Sequence, residues 1–226
     1  MASRDTDNPL SHASLKARQR AERQDHPPDL ALRVHRALSW QDRAEREQDD
    51  LDARFIFFWV AFNAAYATDI AEEHRGTEQA MFREFLQKLL DLDAEKRLPD
   101  LVWREFSGSI RTLLANKFVF PDFWKSQNGG LPKDDWEPRF AAANNHAKRA
   151  LAHNDTVAVL STVLARIYTL RNQLVHGGAT WNSSVNREQL RDCTAFMGKL
   201  VPIIILLMLD HPGTLWGTAV YPVVEA

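Results

Sequence analysis

The stretch TVAVLSTVLARIYTLRNQLVHGG, residues 156–178, decides the fold. Its apolar residues recur at steps of three and four, which predicts an amphipathic helix with one face in a core. Thr156 is the predicted N-cap, and the pair Gly177-Gly178 predicts where the helix ends. Because this helix combines a long apolar stripe with polar groups at its end, we expect the other helices to be arranged around it.

Three polar residues, Arg171, Asn172 and His176, lie in the last turn of this predicted helix. Asn172 and His176 are four residues apart, so they share a face, and we expect a hydrogen bond that fixes the imidazole tautomer. Arg171 lies about 140° around the helix from His176 and has to curl toward it, or meet it across a dimer interface. The helix macrodipole favours a protonated imidazole at this end. An arginine beside a titratable histidine suits a phosphodiester substrate.

The pattern Arg-Asn-x-x-x-His at 171–176, followed by Gly-Gly, resembles the signature of the HEPN superfamily. Residues 54–67, RFIFFWVAFNAAYA, are similar to the aromatic-rich early helix of Apea-like HEPN proteins. The resemblance covers most of residues 30–210 and is specific in these two patches. It implies a small all-helical protein that acts as a metal-independent endoribonuclease, as a toxin or a phage-defence effector.

The resemblance also implies roles for the three motif residues in RNA transphosphorylation. His176 would transfer a proton, Arg171 would stabilise charge on the phosphoryl oxygens, and Asn172 would orient the imidazole. One chain supplies one histidine while the reaction needs a base and an acid, so we expect a homodimer. No metal ion or cofactor is expected. In some HEPN toxins a tyrosine that is modified by a partner follows the motif by two residues, and here Gly178 stands there, which makes that regulation doubtful.

Two further residues are additional candidates for the site. Asn63 lies among the aromatic residues of the 54–67 helix, either as a buried amide satisfied by the backbone or as a group supporting the motif. Trp181 follows the motif in a loop rich in Ser and Asn and is a candidate for substrate binding. The aromatic residues of 117–138 either stack on RNA bases or, as the simpler expectation, hold their own loop on the bundle.

Two alternatives to catalysis stay open on the sequence alone. Arginine and histidine near a helix C-terminus commonly bind free carbonyl groups, so the motif residues can serve as caps only. A non-catalytic HEPN-fold module that binds a partner protein or a nucleotide fits the net charge of −2. That charge does not mark a general nucleic-acid binder, so any contact with RNA has to come from a local basic patch.

Composition places the 226-residue chain among globular proteins, because 45% of its residues are hydrophobic and 10% are aromatic. The one cysteine, Cys193, excludes an internal disulfide framework and fits a reducing cytoplasm. The N-terminus lacks the apolar core of a signal peptide. The apolar run 200–209 is too short to span a bilayer, so we expect buried core and no membrane association. Expected partners are RNA, a second copy of the chain, and an antitoxin or other regulator.

The pattern along the chain predicts six to eight helices and no strand, hence an all-α antiparallel bundle with additional peripheral helices. Residues 1–28 are expected to form a flexible N-terminal tail that folding does not need. The HEPN-like helical domain is expected over 29–212, with a long loop insertion at 117–138 that is rich in Pro and Gly. Residues 213–226 are expected to form an extended C-terminal tail.

Overall fold

The computed structural model describes residues 8–67 and 78–221 and confirms the all-α prediction. The part that it describes consists of about ten α-helices joined by turns and contains no β-strand. The chain divides into two compact units, Met1–Arg75 with Cys193–Ala226, and Gly76–Asp192. The α-helices are, in order, α1 (His12–Glu22), α2 (Pro28–Arg46), α3 (Leu51–Tyr66), α4 (Glu78–Leu92), α5 (Arg97–Asp100), α6 (Ser107–Ala115), α7 (Pro121–Gln127), α8 (Trp136–Ala152), α9 (Thr156–Val175) and α10 (Arg187–Asp210).

The first unit is built on α3, which packs along α2. Asp50 caps α3 by accepting a hydrogen bond from the Ala53 N–H at 3.0 Å, and the helix is apolar on nearly all sides. Its large aromatic side chains are almost wholly enclosed, among them Phe55, Trp59 and Phe62. α10 also approaches α3 closely, since a Cβ added at Gly198 would lie 3.2 Å from the Phe58 ring.

The prediction of a flexible tail over residues 1–28 is wrong for the segment that forms α1. Ser11 caps this helix by accepting from the Ser14 N–H at 3.2 Å, and α1 packs on α2. Leu15 is 1% exposed, and Arg18 forms an ion pair with Asp210 in the same unit. The segment is polar overall, so the composition hid one buried leucine and the polar contacts that hold the helix.

The segment after α10 is extended and is held against α2 by hydrogen bonds to its main chain. Arg33 donates to the carbonyl oxygens of Trp216 and Gly217, and Arg36 donates to that of Val220 at 2.8 Å. Asp29 accepts from the Ala219 N–H at 3.0 Å. The predicted extended tail over 213–226 is therefore, as far as residue 221, a docked segment.

The second unit is organised around α9, which contacts α4, α6 and α8. Asp155, and not Thr156, is its N-cap, because the Asp155 carboxylate accepts from the Ala158 N–H at 2.9 Å. The Thr156 hydroxyl instead accepts a hydrogen bond of 3.0 Å from the Trp103 indole, which ties the start of α9 to a wide π-helical turn over Leu101–Glu105.

The loop insertion predicted over 117–138 is only partly a loop. A 3-10 turn over Lys117–Val119 leads into α7, whose first residue is Pro121, a favoured residue at the start of a helix. α8 begins at Trp136. The aromatic side chains pack on one another, with ring centroids 5.1 Å apart for Phe123–Trp136 and 5.2 Å apart for Phe120–Phe140. Trp136 and Phe140 belong to α8, so these contacts agree with the simpler expectation that the aromatic residues hold the loop on the bundle.

α10 carries the apolar run 200–209 and continues through Pro202. By length and composition alone it is the one helix of the described residues that is able to cross a membrane, and 78% of its most apolar window is buried. Core helices of soluble proteins have the same length and composition, so this helix is weak evidence about a membrane.

Candidate functional site

The C-terminal end of α9 lies where the sequence predicts it. The His176 N–H donates to the Asn172 carbonyl at 3.0 Å, and the Gly177 N–H donates to the Leu174 carbonyl at 3.3 Å. Gly177 has φ +72°, a left-handed conformation that glycine adopts without the strain of a side chain. The glycine pair therefore follows directly on His176, the C-cap of α9, and that residue is exposed.

Arg171 and Asn172 are joined by a side-chain hydrogen bond. The Arg171 Nη1 donates to the Asn172 Oδ1 at 2.9 Å in a half-buried position. The predicted bond between Asn172 and the His176 imidazole is not formed, and the His176 ring makes no hydrogen bond within residues 8–67 and 78–221. The Asn172 amide therefore contacts the Arg171 guanidinium and not the His176 imidazole.

The guanidinium of Arg171 is anchored on one side. Its Nε is enclosed and has no hydrogen-bond partner among the residues described. Nη1 is engaged by Asn172. Since Nε has no accessible surface, any contact with a phosphate has to be made by the terminal nitrogens, which a guanidinium presents in a planar fork.

A rigid segment with cationic and aromatic side chains is attached to the same end of α9. Gln173 donates to the Phe118 carbonyl at 2.6 Å, and the Trp124 indole donates to the same oxygen at 2.7 Å. The Lys117 ammonium lies 5.4 Å from the centroid of the Phe118 ring and 5.6 Å from that of Phe123. Phe118 is 41% exposed, so its ring is accessible to solvent beside this ammonium group.

Arg166 is a residue of this region that the sequence analysis missed. It is 3% exposed, and its guanidinium carbon lies 4.5 Å from the Phe120 ring centroid and 5.6 Å from that of Phe140. It forms no ion pair with any residue that the structure describes. Burial lowers the pKa of Arg166 to about 10. The burial of Arg166 could have been predicted from the sequence, because it lies on the same apolar face of the helix as Val163 and Leu170.

The two additional candidates lie outside the motif. Asn63 belongs to α3 in the first unit and is half-buried. Trp181 belongs to the second unit, in the loop between α9 and α10, and is 73% exposed. The second unit therefore contains Arg171, Asn172, His176 and Trp181, and Asn63 is assigned to the first.

Comparison of the chain with protein-family models, curated proteins and solved structures gives no match. Within the described ranges, no group of three or more His, Cys, Asp or Glu residues is arranged to hold a metal ion. The case for a function therefore rests on the geometry at the end of α9.

Proposed function

We propose that this chain is a metal-independent endoribonuclease of the HEPN type that acts as a cytoplasmic homodimer, as a toxin or a phage-defence effector. One observation carries the proposal. At the exposed end of α9, the Arg171–Asn172 hydrogen bond holds a guanidinium five residues before the exposed His176. A guanidinium and an accessible imidazole at one helix end can supply charge stabilisation and proton transfer, the two functions that RNA transphosphorylation requires.

In the proposed reaction, the ribose 2′-oxygen attacks the adjacent phosphorus while one imidazole removes the 2′-hydroxyl proton. The bond from phosphorus to the 5′-oxygen of the next nucleotide breaks, and a protonated imidazole gives that oxygen its proton. The products are a 2′,3′-cyclic phosphate and a free 5′-hydroxyl. His176 of each protomer takes one of the two proton-transfer roles, and Arg171 binds the phosphoryl oxygens in the transition state.

The exposed part of the Lys117–Phe118 segment supports single-stranded RNA as the substrate. A partly exposed aromatic side chain can stack on a base, and the ammonium group beside it attracts the phosphate backbone. The Phe118 backbone is held by Gln173, the residue directly after Asn172. A base bound there is thus connected to the motif through one rigid helix end.

One observation favours the alternative of a non-catalytic HEPN-fold module that binds a partner protein or a nucleotide. The His176 imidazole lacks the hydrogen bond to Asn172 that would fix its tautomer. A histidine whose ring is not oriented is a weaker proton-transfer group, because general acid–base catalysis depends on the geometry of the donor. A single RNA cleavage experiment distinguishes the catalytic function from this alternative.

The test is cleavage of an end-labelled single-stranded RNA in the presence of a metal chelator. Wild type is compared with His176→Ala and with His146→Ala, which removes another exposed histidine of the same unit. We expect cleavage by wild type and His146→Ala, 2′,3′-cyclic phosphate ends, and at least about a hundredfold loss in His176→Ala. A stable protein that binds RNA or nucleotide without cleaving it would favour the non-catalytic alternative.

A further inference from the structure

A cavity of about 390 Å³ lies between α6 and α8 in the second unit. Its apolar wall is aliphatic and is formed by Leu114, Ala147 and Leu151. This volume falls within the range of pockets that bind small molecules. Among the described residues, no aromatic side chain is part of the lining, so this lining offers no ring on which a planar base would stack.

The polar side chains around this cavity all present hydrogen-bond donors. Arg111 and Lys148 are exposed and form no ion pair with any residue in the described part of the chain. The Asn144 Oδ1 is enclosed and unpaired, so the NH2 group is the polar part of this amide that is left to face the cavity. The described lining holds no carboxylate. Two cations and an amide donor around an aliphatic wall complement an anion with an apolar body.

The cavity is separate from the motif at the end of α9. α8 and α9 are joined by a short turn and run antiparallel, since Arg166 of α9 lies over Phe140 near the start of α8. Ala147 and Leu151 lie near the end of α8, beside the start of α9. Since α9 has 20 residues that rise about 1.5 Å each, its two ends are on the order of 30 Å apart. A ligand in the cavity is therefore not the group that reacts at His176.

We propose that this cavity binds a small amphipathic anion, an acidic head group on an aliphatic chain. The head group contacts Arg111 and Lys148 and accepts a hydrogen bond from Asn144, while the chain lies on the aliphatic wall. A carboxylate and a phosphate monoester share this chemistry, because a guanidinium binds both in the same planar geometry. This ligand site does not depend on the proposed endoribonuclease function.

The test is titration calorimetry of the full chain with two probes, octanoate and octyl phosphate. We expect saturable binding of at least one of them, and the stronger probe identifies the head group. Octan-1-ol and octylamine are the matched controls for charge, and acetate is the control for the chain. Equal binding of octan-1-ol, or no saturable binding of either anion at millimolar concentration, would overturn the proposal.

Variants locate the site on the protein. Arg111→Ala and Lys148→Ala should each weaken binding about tenfold, the effect of losing one charged hydrogen bond. Arg149→Ala, the adjacent cation on α8 that does not line the cavity, should bind as wild type does. Ala115→Phe adds a ring at an exposed lining position and should block binding. If Arg149→Ala and Lys148→Ala weakened binding equally, the anion would be attracted only by the general surface charge, and the proposal would be overturned.

A readout on the unchanged protein removes any dependence on how the variants fold. Titration of isotope-labelled wild type with octanoate should shift amide resonances of residues at the ends of α6 and α8 that line the cavity. Shifts confined to the loop after α9 would place the anion elsewhere and would contradict the proposal.

Discussion

At the scale of single residues, the structure reassigns Asn172 from the imidazole to the guanidinium. Its amide oxygen accepts from Arg171 at 2.9 Å, so removing Asn172 should release the arginine that we propose to bind phosphate. The sequence predicted that both residues lie in the last turn of one helix, because helical periodicity fixes those positions. The hydrogen-bond partner of the Asn172 amide could not be predicted, because it depends on side-chain torsion angles and not on residue spacing.

We predict that the losses of RNA cleavage rate caused by Arg171→Ala and by Asn172→Ala do not multiply in the double variant. Each acts on the same guanidinium, so the double variant should be about as impaired as Arg171→Ala alone, which should lose about a hundredfold. Steady-state cleavage by the two single variants and the double variant measures this. If Asn172 acts through His176 instead, the losses would multiply. The free energy of unfolding of all three variants should stay within about 1 kcal/mol of the wild-type value, as expected for partly exposed sites.

Arg171→Lys is the conservative variant that separates a catalytic role from a structural one. A lysine keeps the charge but cannot make a planar two-pronged contact with phosphate, so we expect cleavage to fail while stability is kept. The comparison is cleavage rate against melting temperature for this one variant. An arginine that only caps carbonyl groups would be replaced by lysine with little change in either quantity.

Arg166 leads to a prediction on pH, because its charge is buried between aromatic rings. Its pKa is lowered by burial to about 10, well below the ordinary value of an arginine, so the unfolded chain binds this proton more tightly. The charge therefore lowers the free energy of unfolding below about pH 10, and that cost shrinks as pH rises from about 10 toward the ordinary pKa of an arginine.

Arg166→Met should accordingly be as stable as wild type at neutral pH, or up to about 2 kcal/mol more stable. Any advantage of the variant should shrink as pH rises above 10. Denaturant unfolding of both proteins at neutral pH and above that value measures the difference. A variant much less stable than wild type at neutral pH would mean that the interaction with Phe120 and Phe140 outweighs the cost of burying the charge.

At the scale of helices, the long apolar patterns were sufficient for prediction and the short polar segments were not. The stripe of α9 and its glycine stop fixed that helix to within a residue of its observed ends. α1 was missed because its mean composition is polar and its burial depends on one leucine. α7 was missed because prolines and glycines in 117–138 indicate a loop, although Pro121 sits at a position where proline starts a helix.

We predict that α1 contributes to stability, contrary to the expectation that residues 1–28 are dispensable. Leu15→Ala removes a side chain that is 1% exposed and should lower the free energy of unfolding by about 2–4 kcal/mol. Arg20→Ala, an exposed position of the same helix, is the control and should change it by less than about 0.5 kcal/mol. Equal melting of the Leu15 variant and wild type would show that α1 does not support the fold.

At the scale of the whole molecule, the proposed reaction needs two copies of the chain, since each supplies one His176. We predict a homodimer with the ends of the two α9 helices near its two-fold axis. Sedimentation at micromolar concentration should show a dimer. Adding an excess of His176→Ala to wild type should suppress cleavage, because mixed dimers carry one imidazole. Unchanged total activity on mixing, or a monomer throughout the concentration range, would contradict the shared site.

The docking of residues 216–221 on α2 has a consequence for how this chain tolerates mutation. Arg33, Arg36 and Asp29 reach the main-chain carbonyl oxygens and one N–H of the segment, which every amino acid but proline provides. Solvent-exposed side chains of this segment can thus be substituted without loss of these hydrogen bonds. Proline at position 219 is the exception, because it would remove the N–H that Asp29 accepts. Within the segment, only the side chains that are buried, Trp216 at 5% exposure and Ala219 at 1%, should tolerate replacement poorly, while the main-chain bonds depend on the residues of α2.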